Sequence, residues 1–446
     1  MPFACTANYT PCKVKSILYI AFVFARRIIL LDDFRLISFS WPHYIFVVFI
    51  WNVNKIIILT IDRYLNNIFY ICQISYNVFI NSFYLGYIMR KYFNLVSLFS
   101  MLLLVCCSGS VNGSIPDFSI GEESFKPTDE KPIILSYVWH SFKELPDPTL
   151  VTHINYAFGH LDKTNFVDID IDSPEHFREV AELKKQNPSL KICLSIGGWG
   201  TCSEGFSQMA RDAGKRKVFA LNCKRLLDEY GIDGIDIDWE YPTKHSEGIA
   251  ATPQDTKNYT LMMKEIRKAI GDNKLLTLAS SASAECFDFK DLLPIVDFVN
   301  IMSYDMCGFN QHNSALYKSE RTGDFWCEKA ASLHNLAGFP LHKLVLGLPF
   351  YGYSSVGGNL KMIYYKDMEK EQDLKGLAEH WDEIAKVPYL ADRNGKLMFT
   401  FDNAKSLGYK CEYAKKKGLK GVMSWFYEAD DAKGTLRKAV YDAMTE

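Results

Sequence analysis

The first 88 residues of this 446-residue chain contain almost no glycine and no glutamate. Gly86 is the only glycine before Met89, and the first glutamate is Glu122. The stretch is instead rich in Ile, Phe, Tyr and Asn, and it lacks an unbroken apolar run of about 20 residues, the length that a transmembrane helix needs. Residues 1–88 therefore have two interpretations. They are either a membrane-like segment around 44–61 or upstream DNA translated from a start assigned too early, and the second is favoured.

The chain also lacks the marks of two other protein classes. Its formal net charge is −2 and its pI is near 6.6, so no basic surface for nucleic acid is expected. Its twelve cysteines are scattered without a C-x-x-C pair. That scatter argues against a disulfide framework and against a zinc site.

A secretory signal peptide is predicted at residues 89–107. Met89 is followed by two basic residues, then by an apolar core of about a dozen residues and by small residues, which is the layout of such a signal. The end of this segment, "LLLVCCSGS", also resembles a bacterial lipobox, in which Cys106 or Cys107 would carry the lipid. An uncleaved anchor helix is the remaining alternative.

Each of these alternatives places the rest of the chain outside the cytoplasm. We therefore expect an exported protein, either extracellular or lipid-anchored to the bacterial outer membrane. Residues 108–131 are rich in Ser, Gly, Pro and acids without an apolar period, so they are interpreted as a linker. The folded domain is expected to span 132–446.

Short β-rich runs alternate with helical patterns throughout this domain. The eight runs are 133–138, 151–158, 190–198, 232–241, 274–282, 296–305, 343–352 and 421–427. Because parallel strands need crossover connections, this order predicts a closed (β/α)₈ TIM barrel with its site at the carboxyl ends of the strands. The long gap 353–420, between strands seven and eight, predicts either a small reduced insertion or a long loop followed by a helix.

Three acids recur at every second position in "GIDGIDIDWEYP". In a strand, Asp236, Asp238 and Glu240 would share one face, and the apolar residues between them would share the other. Crowding three carboxylates is unfavourable because their charges repel, so the pattern indicates function rather than stability. Asp233 is out of register with the other three and is interpreted as structural.

Four segments carry a family resemblance. "LSIGGWG", "DGIDIDWEYP", "NIMSYDMCG" and "GVMSWFYEAD" resemble, in order and spacing, the signatures of glycoside hydrolase family 18, the chitinase family. The resemblance covers essentially all of 132–446. It implies retaining hydrolysis in which the substrate's own acetamide oxygen attacks the anomeric carbon and forms an oxazolinium ion. No metal or cofactor is implied, since the substrate supplies the nucleophile.

The resemblance also implies roles for four catalytic residues. Glu240 would be the general acid and then the base for the incoming water. Asp238 would orient the acetamide and stabilise positive charge on its nitrogen, and Asp236 would share a proton with Asp238. Tyr304 would hydrogen-bond the acetamide oxygen.

Five further residues are implied to bind substrate. Trp425 would be the floor under the −1 sugar, because a flat sugar face packs well on an indole ring. Asp305 would hold sugar hydroxyls or the acetamide, and Trp199 would stack on a neighbouring sugar. Tyr137 and Tyr351 would line the cleft.

Two details of the motifs bear on the substrate contacts. Gly197 and Gly198 are predicted to let their strand pass close to the acid strand. Tyr353, in "FYGYSS", departs from family members that carry arginine there in "YGR". That departure puts the outer substrate contacts in doubt but leaves the chemistry unaffected.

The leading hypothesis is an exported chitinase that cleaves β-1,4 bonds between N-acetylglucosamine units in chitin or chitooligosaccharides. One alternative is an endo-β-N-acetylglucosaminidase acting on the chitobiose core of N-glycans. The other is a non-catalytic chitin-binding lectin, although such lectins typically lack the acid found here at Glu240. The expected partner is the saccharide alone, without nucleic acid, and the expected state is a monomer.

Overall fold

The computed structural model describes residues 131–446 and, before them, the backbone of five strands. These are β1 (Ala25–Leu31), β2 (Phe34–Trp41), β3 (Tyr44–Trp51), β4 (Lys55–Asp62) and β5 (Ile68–Ser75). They form an antiparallel sheet in sequence order, so the stretch 44–61 contains β3 and most of β4. In the described part of the chain, no helix is both long and apolar enough to cross a bilayer. The predicted signal peptide 89–107 and residues 108–130 of the linker lie outside the described residues.

The C-terminal unit is built on a ring of parallel strands. The first seven are β6 (Ile133–Trp139), β7 (His153–Leu161), β9 (Lys191–Trp199), β10 (Gly234–Glu240), β11 (Leu275–Ser281), β12 (Phe298–Met302) and β13 (Leu344–Pro349), and the short β8 (Ile169–Ile171) pairs antiparallel with β7. Each of the seven pairs with its neighbour in the chain.

A small lobe follows the seventh barrel strand. It is an antiparallel sheet of β14 (Tyr351–Ser354), β15 (Lys361–Tyr364), β16 (Ala378–Asp382), β17 (Val387–Ala391) and β18 (Leu397–Thr400). Of the two predictions for the gap 353–420, the folded insertion is therefore correct. The eighth barrel strand, β19 (Gly421–Trp425), pairs with both β13 and β6. This pairing closes the ring and confirms the predicted TIM barrel.

Helices connect most of the barrel strands. They are α1 (Pro174–Glu182), α2 (Phe206–Ala210), α3 (Ala213–Tyr230), α4 (Asp255–Ile270), α5 (Phe289–Leu292), α6 (Cys327–Leu336), α7 (Ala404–Lys416) and α8 (Thr435–Thr445). α3 shows how the sequence sets such an element. The Asp212 side chain caps its first turn by accepting from the Lys215 amide, and Gly231 ends it in the left-handed conformation.

The alternation along β10 determines which side chains face the barrel interior. Trp239 is buried on the outer face, where its ring stacks on Phe206 of α2 at 5.2 Å and lies 6.0 Å from Tyr259 of α4. Because successive side chains point to opposite faces, the acids at 236, 238 and 240 lie on the inner face.

The neighbouring strand β9 approaches the acid strand closely. Gly197 pairs in register with Asp238 and has φ +119°, in the region that favours glycine. A Cβ at position 197 would lie 2.1 Å from the Asp238 carbonyl oxygen. The predicted close passage of the two strands is therefore confirmed at Gly197, whereas a Cβ at position 198 would meet the Phe158 ring at 3.1 Å.

Candidate active site

Asp236 lies deepest of the three acids and is fully buried. Its Oδ2 accepts hydrogen bonds from the Tyr137 hydroxyl and Ser195 Oγ, both at 2.8 Å. Its Oδ1 accepts from Thr277 Oγ1 at 2.5 Å and from Asn300 Nδ2 at 3.2 Å. Burial raises the pKa of Asp236, and the four donors, each from a different strand, oppose that rise.

Asp238 has a different environment one step along the same face. It is buried, and its Oδ1 has no hydrogen-bond partner. Burial raises its pKa well above the ordinary value, and the charges of Glu240 and Asp236 raise it further. These surroundings favour the protonated, neutral form of Asp238. The sharing of that proton with Asp236 stays a prediction.

Glu240 ends the acid strand at the carboxyl rim of the barrel. Its backbone amide donates to Ser203 Oγ at 3.0 Å, and that hydroxyl donates to the Gly198 carbonyl at 2.6 Å. Burial raises the pKa of Glu240 to about 7; the nearby Asp305 charge adds to this, and the Tyr241 side chain opposes it. A carboxyl group with such a pKa can both donate and accept a proton near neutral pH.

Tyr304 and Asp305 lie in the irregular segment 303–306 that follows β12. The Tyr304 phenol is buried, and its hydroxyl lies 3.8 Å from Met423 Sδ. Burial and the neighbouring acids hold its pKa well above the ordinary value, so it remains a hydrogen-bond donor. Asp305 Oδ1 accepts from the Tyr351 hydroxyl at 2.6 Å. The structure therefore brings both residues to the same rim as Glu240.

Trp425 ends the last barrel strand within a cluster of rings. The centroid of its ring lies 5.5 Å from that of Tyr137, in an edge-on contact, and 5.7 Å from that of Phe158, in a stacked contact. The ring centroid of Trp139 is 6.3 Å away. These contacts fix the indole plane and leave the side chain only partly buried. Trp199 is 56% exposed and has Tyr241 at 6.3 Å.

Two of the residues predicted to line the cleft are almost fully buried, and their lining of the cleft stays a prediction. Tyr137 is 2% exposed and Tyr351 is 1% exposed. Their hydroxyls are engaged by Asp236 and Asp305 respectively. Tyr353, the departure from the arginine pattern, packs edge-on against Tyr351 at 5.8 Å.

Sequence reasoning missed several residues of this site. Thr277, Asn300 and Ser203 hold the acids, and each is a buried polar residue. Two of them could have been found in the sequence, since Thr277 and Asn300 are polar residues that interrupt the apolar strands "LLTLASS" and "FVNIM".

Asp233 lies at the opposite end of β10 from the site. Its Oδ2 accepts from Lys184 Nζ at 2.7 Å and from the Ile192 amide at 2.9 Å. These contacts tie the start of the acid strand to its neighbours, so the structural interpretation of Asp233 is confirmed. Within residues 131–446, no cluster of three His, Cys, Asp or Glu side chains forms a metal site.

The arrangement supports one type of chemistry. A carboxyl group that titrates near neutral pH stands beside a carboxyl group whose neutral form is favoured by burial and a phenolic donor. Trp425 and Trp199 end two of the barrel strands of the same site. Such a site can donate a proton to a leaving oxygen and hold a neutral polar substituent of a flat, partly apolar ligand.

Comparison with known proteins agrees with this geometry. The sequence model of "Glycosyl hydrolases family 18" matches residues 129–430. Chitinase A1 of Niallia circulans is 32% identical over 67% of this chain and 56% of its own length. Chitotriosidase-1 of Mus musculus is 29% identical over 65% of this chain and 69% of its own. This chain thus spans little more than half of the first relative.

Solved structures show the same likeness. A family 18 N-acetylglucosaminidase from Paenibacillus barengoltzii superposes with a TM-score of 0.63 and 33% identity, over 70% of this chain and all of that one. A chitinase from Bacillus thuringiensis superposes with a TM-score of 0.65 and 26% identity, over 71% of this chain and 70% of that one.

Proposed function

The chain belongs to glycoside hydrolase family 18, and from this premise we propose that it is a chitinase. The proposed reaction is hydrolysis of β-1,4 bonds between N-acetylglucosamine units, with retention of configuration and with participation of the substrate's acetamide group. The relatives named as chitinases support the choice of substrate.

The observation that carries the proposal is the difference in environment among the three acids of β10. Asp236 accepts four hydrogen bonds, Asp238 is buried with an unpartnered oxygen, and Glu240 has a pKa near 7. This gradation suits a reaction that needs one proton donor and no protein nucleophile.

The first step breaks the glycosidic bond. The acetamide oxygen of the −1 sugar attacks the anomeric carbon, and a carbon–oxygen bond forms as the bond to the leaving sugar breaks. The Glu240 proton passes to the leaving oxygen, so the departing sugar leaves as an alcohol. Asp238 would face the acetamide nitrogen and stabilise the positive charge that develops there.

The second step restores the enzyme. Water attacks the anomeric carbon and opens the oxazolinium ring, and Glu240, now a carboxylate, accepts the proton of the water. The two attacks occur on opposite faces, so the configuration is retained. Tyr304 would donate a hydrogen bond to the acetamide oxygen throughout, because its phenol stays protonated.

The aromatic residues would bind the sugar rings. Trp425 is fixed by its ring neighbours and would support the −1 sugar. Trp199 is open to solvent and would stack on the adjoining unit. Tyr137 and Tyr351 would act through Asp236 and Asp305, because their own rings are buried.

Export is also part of the proposal, on the basis of the signal-like segment 89–107. Expression of the full chain in a bacterial host, followed by fractionation, tests it. Activity in the medium or periplasm supports cleavage, whereas activity in the membrane fraction that is lost in a Cys106→Ser, Cys107→Ser double variant supports lipid anchoring.

The decisive test of activity uses fluorogenic chitobioside and chitotrioside with the native chain and Glu240→Gln. We expect release by the native chain and a fall of about a thousandfold or more in the variant, because the proton donor is lost. If neither the native chain nor the variant releases the fluorophore but both bind chitin, the result would instead support a lectin. If neither releases it and neither binds chitin, N-glycoproteins would be assayed next.

A further inference from the structure

A buried ion pair lies outside the catalytic strand, where the lobe returns to the barrel. The side chains of Lys410, on α7, and Asp402, just after β18, are 0% and 1% exposed. The Lys410 ammonium donates to both oxygens of Asp402, at 2.7 and 2.8 Å, and Ser406 Oγ donates to the same carboxylate at 2.7 Å. Burying two charges is unfavourable unless their hydrogen-bonding capacity is used. The partner of the third N–H group of Lys410 therefore shows what else this buried ion pair contacts.

That donor reaches the segment that precedes Tyr304. Lys410 Nζ donates to Ser314 Oγ at 2.8 Å, and Ser314 Oγ donates to the Ser303 carbonyl at 2.6 Å. The Ser303 hydroxyl in turn donates to the Gly347 carbonyl of β13 at 2.8 Å. A continuous chain of contacts thus runs from α7 to the residue next to Tyr304.

Asn313, the residue before Ser314, contacts the second half of the segment 303–306. Asn313 Oδ1 accepts from the Asp305 amide at 2.8 Å, and the Asn313 carbonyl accepts from the Met306 amide at 3.1 Å. The Asn313 amide donates to Thr400 Oγ1, in β18, at 2.8 Å. Asp305 has φ +57°, a conformation uncommon outside glycine that persists where surrounding contacts determine it.

We propose that Ser314, held in place by Lys410, is a positioning residue for hydrolysis. It fixes the segment 303–306 through the Ser303 carbonyl, and that segment places the Tyr304 hydroxyl and Asp305 at the rim of the barrel. The lobe and α7 then belong to the apparatus that aligns the acetamide group. The catalytic consequence rests on the proposed function, whereas the fixing of this segment does not.

The test uses Ser314→Ala in the full chain. Lys410→Met would leave Asp402 buried without its cation and would endanger folding, whereas Ser314→Ala breaks the link and keeps the ion pair. Ser207→Ala is the matched control, because Ser207 is a buried serine of α2, outside the lobe, whose hydroxyl donates to Asp255 Oδ1 at 3.0 Å. The measurements are kcat and KM on chitotrioside, the Tm, and hydrogen exchange of the peptide 303–308.

We expect Ser314→Ala to lower kcat by about tenfold or more, with KM changed by less than about threefold, because alignment rather than binding is lost. Exchange of 303–308 should quicken by about tenfold or more, and Ser207→Ala should change neither kcat nor this exchange. Equal losses of kcat in the two variants, or unchanged exchange of 303–308, would overturn the proposal whatever the Tm. If the native chain hydrolyses no chitooligosaccharide, the proposed function fails. The exchange data would still decide whether Ser314 fixes the segment 303–306.

Discussion

The Tyr137 hydroxyl donates a 2.8 Å hydrogen bond to Asp236 Oδ2, although the two residues lie 99 positions apart in the chain. The same tyrosine ring meets the edge of Trp425 at 5.5 Å. Tyr137 therefore connects the acid at the bottom of the site with the ring proposed to carry the −1 sugar. It does so from a buried position.

Removing that hydroxyl should slow the reaction without weakening binding. In Tyr137→Phe the ring beneath Trp425 is kept, but Asp236 loses one of the donors that favour its charged form, so its pKa rises. We expect kcat to fall about tenfold, KM to change little, and the acidic limb of the pH profile to move to higher pH. Initial rates on chitotrioside between pH 3 and 9 measure this. An unmoved acidic limb would contradict the role assigned to this bond.

The pH dependence of kcat/KM should report Glu240. The residue must be protonated to donate to the leaving oxygen, and its pKa lies at about 7. Activity should therefore fall about tenfold per pH unit above pH 7, on the basic limb of the profile. Asp233→Asn, at the far end of the same strand, should leave this limb in place. A limb that moves in Asp233→Asn would show that another group is being titrated.

Burial of Glu240 should also make folding stability depend on pH. Its pKa is raised from 4.5 to about 7 in the native state, so the native chain binds the proton more tightly than the unfolded chain does. The resulting stabilisation by the proton is complete below pH 4.5 and is lost as the pH rises to 7. Each tenfold change in proton affinity is about 1.4 kcal/mol, so the loss is at most about 3.5 kcal/mol.

Glu240→Gln should accordingly be more stable than the native chain at pH 8 and no more stable at pH 4. Urea unfolding at both pH values measures the difference. A stability difference that is the same at both would mean that Glu240 titrates alike in the native and unfolded chains.

Loss of Trp199 should weaken substrate binding and leave the fold intact. The side chain is 56% exposed, so Trp199→Ala removes little packed surface. Stacking of a sugar on such a ring contributes about 1 kcal/mol, so KM for chitotetraose should rise about fivefold with kcat nearly unchanged. Leu336→Ala is the control, because Leu336 is 75% exposed at the end of α6. Equal changes in KM for the two variants would remove Trp199 from the cleft.

The barrel could be predicted because its signals are local. A buried parallel strand is a short apolar run between helices, and each of the eight runs carries that mark. The period of two in "GIDIDWE" likewise placed Asp236, Asp238 and Glu240 on one face without knowledge of any neighbour. Asp233 is out of register with this period of two, so it could be assigned a structural role.

The supports of the acids could not be predicted, because they depend on closure of the ring. Thr277 and Asn300 stand out as polar residues in apolar strands, but their common partner, Asp236, follows only from the register among β10, β11 and β12. The buried positions of Tyr137 and Tyr351 have the same origin. A tyrosine at a strand end is exposed or covered according to what the adjoining strands place over it.

The ring closes where the first barrel strand meets the last. Ser136 of β6 and Ser424 of β19 are joined through their hydroxyls at 2.5 Å across 288 positions. During synthesis, β6 therefore emerges long before the strand that covers its open edge. Until β19 appears, β6 and β13 each present an unpaired edge to other chains. A product shortened by some 25 residues would lack both Trp425 and that closure. Premature termination would therefore release an open sheet prone to aggregation, rather than a folded enzyme of lower activity.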